Sequence, residues 1–251
     1  MTVMIYGDFN CPYSYLASQR AGLLNRAGIA VDWRAVEHER RLPVTGSLTD
    51  HDRAGWDREL TEVTSLALPG ERVPVLPVMI SNTAAAVAAY AEAVSDGIDG
   101  ELRRGLFRAI WVRGLHLSGA YEVRRLVTDV TWPCEGVAQR LASPDFPGLL
   151  LRDPDVTRVV RGSGGTIAFN GVPLTTTGWR RVRQWRQEWL ALPSQVIPAV
   201  IGSDHIVRSG VEGLRYLAGL TGGAGVPASP PAHAGTAPGR AAGQAPAARA
   251  A

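Results

Sequence analysis

The feature that most limits what this chain can become lies near its start. Val3–Tyr6 is a short apolar run, Gly7–Asn10 a turn, and Cys11-Pro12 opens a stretch with Tyr15, Leu16, Ala17, Leu23 and Leu24 at helical spacing. Proline suits the first position of a helix, where its missing N–H costs nothing. That places Cys11 at the N-cap, with its sulfur beside the free N–H groups and the positive end of the helix dipole. Thiols at such sites lie about 1–5 units below a free cysteine. The plain alternative is a small core residue at the end of a strand. The strand, turn, Cys-Pro and helix together favour a reactive thiol. Three residues on stands Ser14, not a second cysteine, so the site works with one sulfur.

The rest of the composition narrows the chemistry. The chain has 251 residues, 45% of them hydrophobic, enough for one large or two small domains. No apolar run approaches the about 20 residues of a membrane span, and no basic region precedes an apolar stretch at the start. A cytoplasmic protein, with no membrane partner, is the expectation. Its two cysteines, Cys11 and Cys134, are too few for a disulfide scaffold, and five scattered histidines offer no metal-ligand spacing. Cys134 reads as a packed residue rather than a resolving thiol. The basic residues are all Arg, which excludes lysine chemistry, and the 26 basic and 23 acidic residues nearly balance. No nucleic-acid partner is expected.

Along the chain, Ile29–Val36 alternates and is β-branched, so it reads as a strand parallel to the first through the helix Pro12–Ala27. The charged loop after it carries His38, either a base near Cys11 or, the simpler account, a solvated loop residue. A helix is expected over about Asp50–Leu66, with Trp56, Leu60 and Val63 on one face. Thr83–Ser95 is an Ala-rich helix stopped by Gly97. Leu102–Val112 is another, with Leu102, Leu106, Phe107, Ile110 and Trp111 on one face and Arg103, Arg104, Arg108 and Arg113 off it. A further helix capped by Ser118 runs to about Val130, and a short one spans Gly136–Ala142.

Asn170-Gly171 between Thr166–Phe169 and Val172–Leu174 predicts a hairpin with a type I′ turn. Trp179–Leu192 is a helix with Trp179, Val182, Trp185 and Trp189 along one side and Arg180, Arg181, Arg183 and Arg186 in its first half. Its face is a buried Trp stripe beside a solvated Arg face, or a surface for carboxylates or bases. Val196–Gly202 places Pro198 inside a β-branched run, out of place unless it begins a strand through a cis bond. Ile206–Arg208 returns as the last strand, Ser209 caps a helix Val211–Leu220, and from Thr221 onward an Ala/Gly/Pro tail cannot bury a core.

Asp8-Phe9-Asn10-Cys11-Pro12-Tyr13-Ser14 resembles the active-site opening of the DsbA-like branch of the thioredoxin superfamily. That branch includes FrnE-like oxidoreductases (D-x-x-C-P-W-C), and 2-hydroxychromene-2-carboxylate isomerases and kappa-class glutathione transferases (D-x-x-S-P-Y-S). Pro77, Asn82-Thr83 and Leu106–Trp111 are similar to the helical insertion of these families, and Ile197-Pro198 to their cis-proline. The resemblance is weak over residues 131–193.

It implies an α/β, thioredoxin-like fold with a helical domain inserted between its βαβ and ββα halves. Residues 1–40 and 194–220 would form the thioredoxin-like domain, 41–193 the insertion, and 221–251 a disordered tail. It further implies an enzyme: a thiol–disulfide oxidoreductase with Cys11 as nucleophile and Ser14 as hydrogen-bond donor to the thiolate. Pro12, Tyr13, Asn82, Ile197 and Pro198 would hold the substrate, although Asn82 reads equally as an ordinary helix cap. No tightly bound cofactor is implied. The partner is a small-molecule or protein thiol or disulfide, such as glutathione or an equivalent, and a homodimer is compatible with the pattern. The alternatives are a thiol-dependent isomerase or transferase, in which Cys11 activates another thiol, and a non-catalytic binding protein on the same fold.

Overall fold

The computed structural model describes residues 1–131, 144–154, 156 and 167–223. Cys134, the expected short helix at 136–142 and the tail beyond 223 lie outside the described residues.

Strand β1 (Thr2–Gly7) is the hub of a four-stranded sheet. It pairs in parallel with β2 (Ala30–Ala35), Ile5 opposite Trp33, and antiparallel with β5 (Ala199–Ile201), Ile5 opposite Val200. β6 (Val207–Ser209) adds antiparallel to β5, giving the order β2-β1-β5-β6. The parallel pair needs a crossover, which α1 (Pro12–Arg26) supplies. Leu16, Ala17, Ala21 and Leu24 of α1 are wholly buried, as are Leu214 and Leu217 of α8 (Val211–Gly223), which packs beside it.

Between β2 and β5 the chain makes β3 (Ser47–Leu48), α2 (Arg53–Ser65), β4 (Met79–Ile80), α3 (Ala84–Asp96), α4 (Asp99–Trp111), α5 (Ala120–Thr131), α6 (Phe146–Arg152) and α7 (Thr176–Leu190). β3 and β4 pair antiparallel as a separate two-stranded sheet. α3 is almost wholly buried because its Ala residues let α4, α5 and α7 approach closely. Gly97 ends it in the left-handed region at φ 68°, where a side chain would be strained. Buried Glu92 of α3 accepts from the backbone N–H (2.7 Å) and the hydroxyl (2.8 Å) of Thr175, the N-cap of α7. No helix among the described residues is long and apolar enough to cross a membrane.

Four local expectations need correction. Arg103 does not leave the apolar face: it is buried, with its guanidinium 5.0 Å from the centre of the Trp33 ring of β2. Trp179 is 44% exposed, and the buried stripe of α7 consists of Trp185 and Trp189 with Val182 partly covered. The turn at Asn170-Gly171 is not type I′, which needs positive φ at both central residues. Gly171 alone has it, at 83°, and its N–H returns to Ala168 O at 2.9 Å, a three-residue loop around Phe169 and Asn170. Finally, Ser118 does not cap α5; its hydroxyl accepts from Asn82 N–H at 2.8 Å, while Gly119 O receives the Val123 N–H.

Candidate active site

The site grows from the turn between β1 and α1. Cys11 is the N-cap of α1 in an extended conformation, with Pro12 opening the helix and Cys11 O accepting from Tyr15 N–H at 3.1 Å. Its N–H returns to Asp8 O at 3.2 Å and closes the turn. The sulfur lies 4.0 Å from the carbonyl oxygen of Ile197, and the Ile197–Pro198 peptide is cis. Cys11, Ile197 and Pro198, separated by most of the chain, therefore meet because β1 and β5 are neighbours in the sheet.

Ser14 is wholly buried below Cys11. Its hydroxyl accepts from Asp8 N–H at 3.4 Å, and both the hydroxyl and the N–H of Ser14 favour the ionised form of the sulfur. Burial nevertheless dominates. It pushes the Cys11 thiol up to about 12, and the negative charges of Glu59 and Asp8 act in the same direction. The expectation of a resting thiolate at the helix N-terminus is thus corrected. Cys11 is only 5% exposed, and burial disfavours the charged form of the sulfur more than the Ser14 hydrogen bonds favour it.

Asp8 ties the site together from beneath. Wholly buried, its carboxylate accepts from the Thr83 hydroxyl at 2.6 Å, from His38 N–H at 2.8 Å and from Asn10 N–H at 3.4 Å, and pairs with His38 Nδ1 at 2.9 Å. The β1 turn, the loop after β2 and the start of α3 thereby converge on one carboxyl group. His38 is accordingly not a free loop residue. Burial would lower its pKa, but the hydrogen bond and charge of Asp8, helped by Glu39 and Glu59, raise it overall.

A cleft of about 210 Å³ opens over the sulfur. Asn10, Cys11 and Pro12 form one side, His38, Glu39 and Leu42 another, and Ser47, Leu48, Trp56, Glu59 and Ile80 the rest. Burial raises the pKa of Glu59, against the pull of His38. Tyr13 and Asn82 do not line the cleft. Half-buried Tyr13 donates its hydroxyl to Glu62 at 2.6 Å, tying α1 to α2, and burial with that bond raises its pKa. Asn82 spends its amide on scaffold, Nδ2 to Leu42 O at 3.1 Å and Oδ1 from Ala84 N–H at 3.1 Å, one residue before the N-cap Thr83. The described arginines of α7 contribute nothing to the lining, and Arg181 is occupied by Ala91 O and Ser95.

Sequence reasoning gave no role to Asp8, Asn10, Glu39 or Glu59. Asp8 stood three residues before Cys11 in the opening motif, and that spacing was the available signal. Glu59 lies on a helix that was legible, but which of its polar residues turn toward the sulfur is a tertiary matter.

A βαβ unit and a ββα unit sharing one sheet, with a helix-start cysteine facing the residue before a cis-proline and a helical segment between the units, define a thioredoxin-like thiol domain. Residues 2–157 match the DSBA-like thioredoxin domain, more than half of the sequence, and the chain belongs to that family. Two solved structures share the fold. A probable DsbA oxidoreductase from Streptomyces coelicolor is 16% identical, with 89% of each chain covered and a TM-score of 0.56. A 2-hydroxychromene-2-carboxylate isomerase is also 16% identical, over 88% of this chain and 95% of its own, with a TM-score of 0.56. No curated protein matches the sequence.

Proposed function

We propose that this protein catalyses thiol–disulfide exchange through one cysteine, Cys11. The observation that carries the reading is the sulfur at the start of α1, 4.0 Å from the Ile197 carbonyl, with Ser14 where a second sulfur would sit. Cys11 gives up its proton, and its sulfur attacks one sulfur of a disulfide. The old S–S bond breaks, the leaving thiolate takes up a proton, and Cys11 holds the other half as a mixed disulfide. An external thiol then attacks that bond, becomes the new disulfide partner and returns Cys11 to the reduced state. Ser14 stabilises the thiolate and takes no covalent part. Net dithiol oxidation by this site alone is not expected; mixed-disulfide reduction and isomerisation are.

The raised thiol pKa has a calculable effect on rate. Against an ordinary value of 9.0, a pKa of about 12 removes roughly a thousandfold of thiolate at neutral pH. The more basic sulfur recovers roughly twentyfold in nucleophilicity, leaving a deficit of about fiftyfold. Correct placement of a bound disulfide is worth far more than that. The site therefore reacts with what its cleft seats and stays quiet toward what merely collides with it.

The same burial supports a second reading. A sulfur kept as S–H can donate a hydrogen bond to another thiolate, the role that the D-x-x-S-P-Y-S pattern gives its serine, and the enzyme would then be a thiol-dependent isomerase or transferase. The deciding experiment is intact mass after incubation with oxidised small thiols, in wild type and Cys11→Ser. A thiol-reversible adduct on Cys11 alone supports exchange. No adduct, together with thiol-dependent turnover of an electrophile, gives the second reading. Neither result leaves a binding protein with the exposed face of α7 as its surface.

A further inference from the structure

We infer that the cleft over Cys11 selects thiols and disulfides that carry positive charge and N–H donors, and turns anionic ones away. This rests on the cleft being the seat of the exchanging substrate, as proposed above. The protein as a whole is basic, with 26 arginines and a net charge of +3, yet among the described residues no arginine lines the cleft. Among the described residues the charged lining is Glu39 and Glu59, with His38 the one able to carry positive charge. That charge is matched at 2.9 Å by the buried Asp8 carboxylate, so the pair offers a ligand no net positive field. Two carboxylates over a half-enclosed, partly apolar cleft raise the local concentration of cations and lower that of anions.

A second observation points the same way. Asn10, adjacent to the sulfur and only 3% exposed, donates its amide to Ser81 O at 3.3 Å, which fixes the orientation of the group. Its Oδ1 is buried and accepts from no donor among the described residues. Asn10 lines the cleft, and a buried acceptor without a partner costs free energy that a ligand N–H reaching it would return. Asn10, Glu39 and Glu59 together give the cleft acceptors in excess. The partner that fits is an aminothiol or its disulfide, or a cysteine flanked by basic residues in a peptide. A thiol bearing free carboxylates meets like charge.

The exchange step is the one already balanced: Cys11–SH and R–S–S–R give Cys11–S–S–R and R–SH. The test uses three disulfides of similar size: cystamine (cationic), hydroxyethyl disulfide (neutral) and dithiodipropionate (anionic). Adduct formation on the full chain is followed by mass, each rate divided by that of mercaptoethanol with the same disulfide. Cystamine should exceed dithiodipropionate by about tenfold or more at low salt, the neutral compound lying between. The ratio should fall in the Glu39→Gln/Glu59→Gln variant and, without any mutation, at high salt. Equal rates, a reversed order or insensitivity to salt overturns the inference. If no disulfide modifies Cys11, the exchange reading fails, and calorimetric binding to Cys11→Ser decides the charge preference separately. Cystamine binding more tightly than dithiodipropionate upholds the preference, and equal or absent binding ends it.

Discussion

Asp8 and His38 form the pair on which the site is built: the buried carboxylate takes the His38 backbone N–H at 2.8 Å and meets its ring Nδ1 at 2.9 Å. The ring's pKa is raised because Asp8 outweighs the burial that would lower it. A raised value means that folding binds the proton. The contribution is full below the ordinary value of 6.5 and is lost as pH rises through the raised one. The ring is 35% exposed, so solvent screening holds the ionic part to about 1 kcal/mol. His38→Gln should therefore cost more stability at pH 6 than at pH 9, by about that amount, in denaturant melts. A larger cost at the alkaline end would contradict the pairing.

Cys11 should behave as a guarded thiol. With its pKa pushed up to about 12, alkylation by iodoacetamide should climb about tenfold per pH unit from neutrality through pH 9, without a plateau. Ser14 favours the ionised sulfur, and a hydrogen bond to a charged group is worth about 1.5–3 kcal/mol. Ser14→Ala should accordingly slow alkylation at pH 8 by about tenfold. A plateau below pH 8 in wild type would mean a thiolate at rest.

Gly7 is required by space rather than by backbone angle. A methyl group there would lie 2.6 Å from Trp33 Cζ2 and 3.1 Å from Ser14 Oγ. Trp33 is buried in the core and Ser14 in the turn, so neither can retreat freely. Gly7→Ala should destabilise the fold by about 1–3 kcal/mol, read as a lowered Tm. An unchanged Tm would show that the Trp33 ring can swing away.

Arg20 on the inner side of α1 is 1% exposed and Glu71 is 3% exposed. Arg20 meets both Glu71 oxygens, at 2.8 and 2.9 Å, and also donates to Leu66 O at 2.6 Å and Leu214 O at 2.7 Å. Glu71→Gln leaves a buried guanidinium without its counter-charge and should cost about 3–5 kcal/mol in urea unfolding. The Arg20→Met/Glu71→Met double variant should recover part of that loss, since it removes both buried charges together. A single variant as stable as wild type would remove the pair from the account of how α1 is anchored.

What could be read from the sequence is what short-range chemistry encodes. The β1 run, the Cys11-Pro12 helix start, the Ala-rich α3 with its Gly97 stop, and Ile197-Pro198 before β5 each carry a local signal a few residues long. What could not be read depends on distant elements arriving. Arg103 is buried against the ring face of Trp33, seventy residues away in sequence. The thiol's pKa follows from the closing-in of α2 and the loop after β2, which bring Glu59 and His38 over a sulfur whose own neighbours suggested the opposite shift. Gly171 was recognisable as a turn residue, but the loop length that decided its turn type was not.

The turn that presents the sulfur is held from outside its own half of the fold. Phe9 O accepts from the indole N–H of Trp111 at 2.8 Å, and the Phe9 ring rests on Phe107 at 5.0 Å and Tyr90 at 6.0 Å, all three partners lying on α3 or α4. The cysteine turn is thus a shared part, cast in one piece with the segment that interrupts the sheet. A miniaturised protein joining β2 directly to β5 would keep all four strands of the main sheet and lose the mould that shapes Gly7–Cys11. Transplanting the site into another scaffold requires carrying the α3–α4 pair with it.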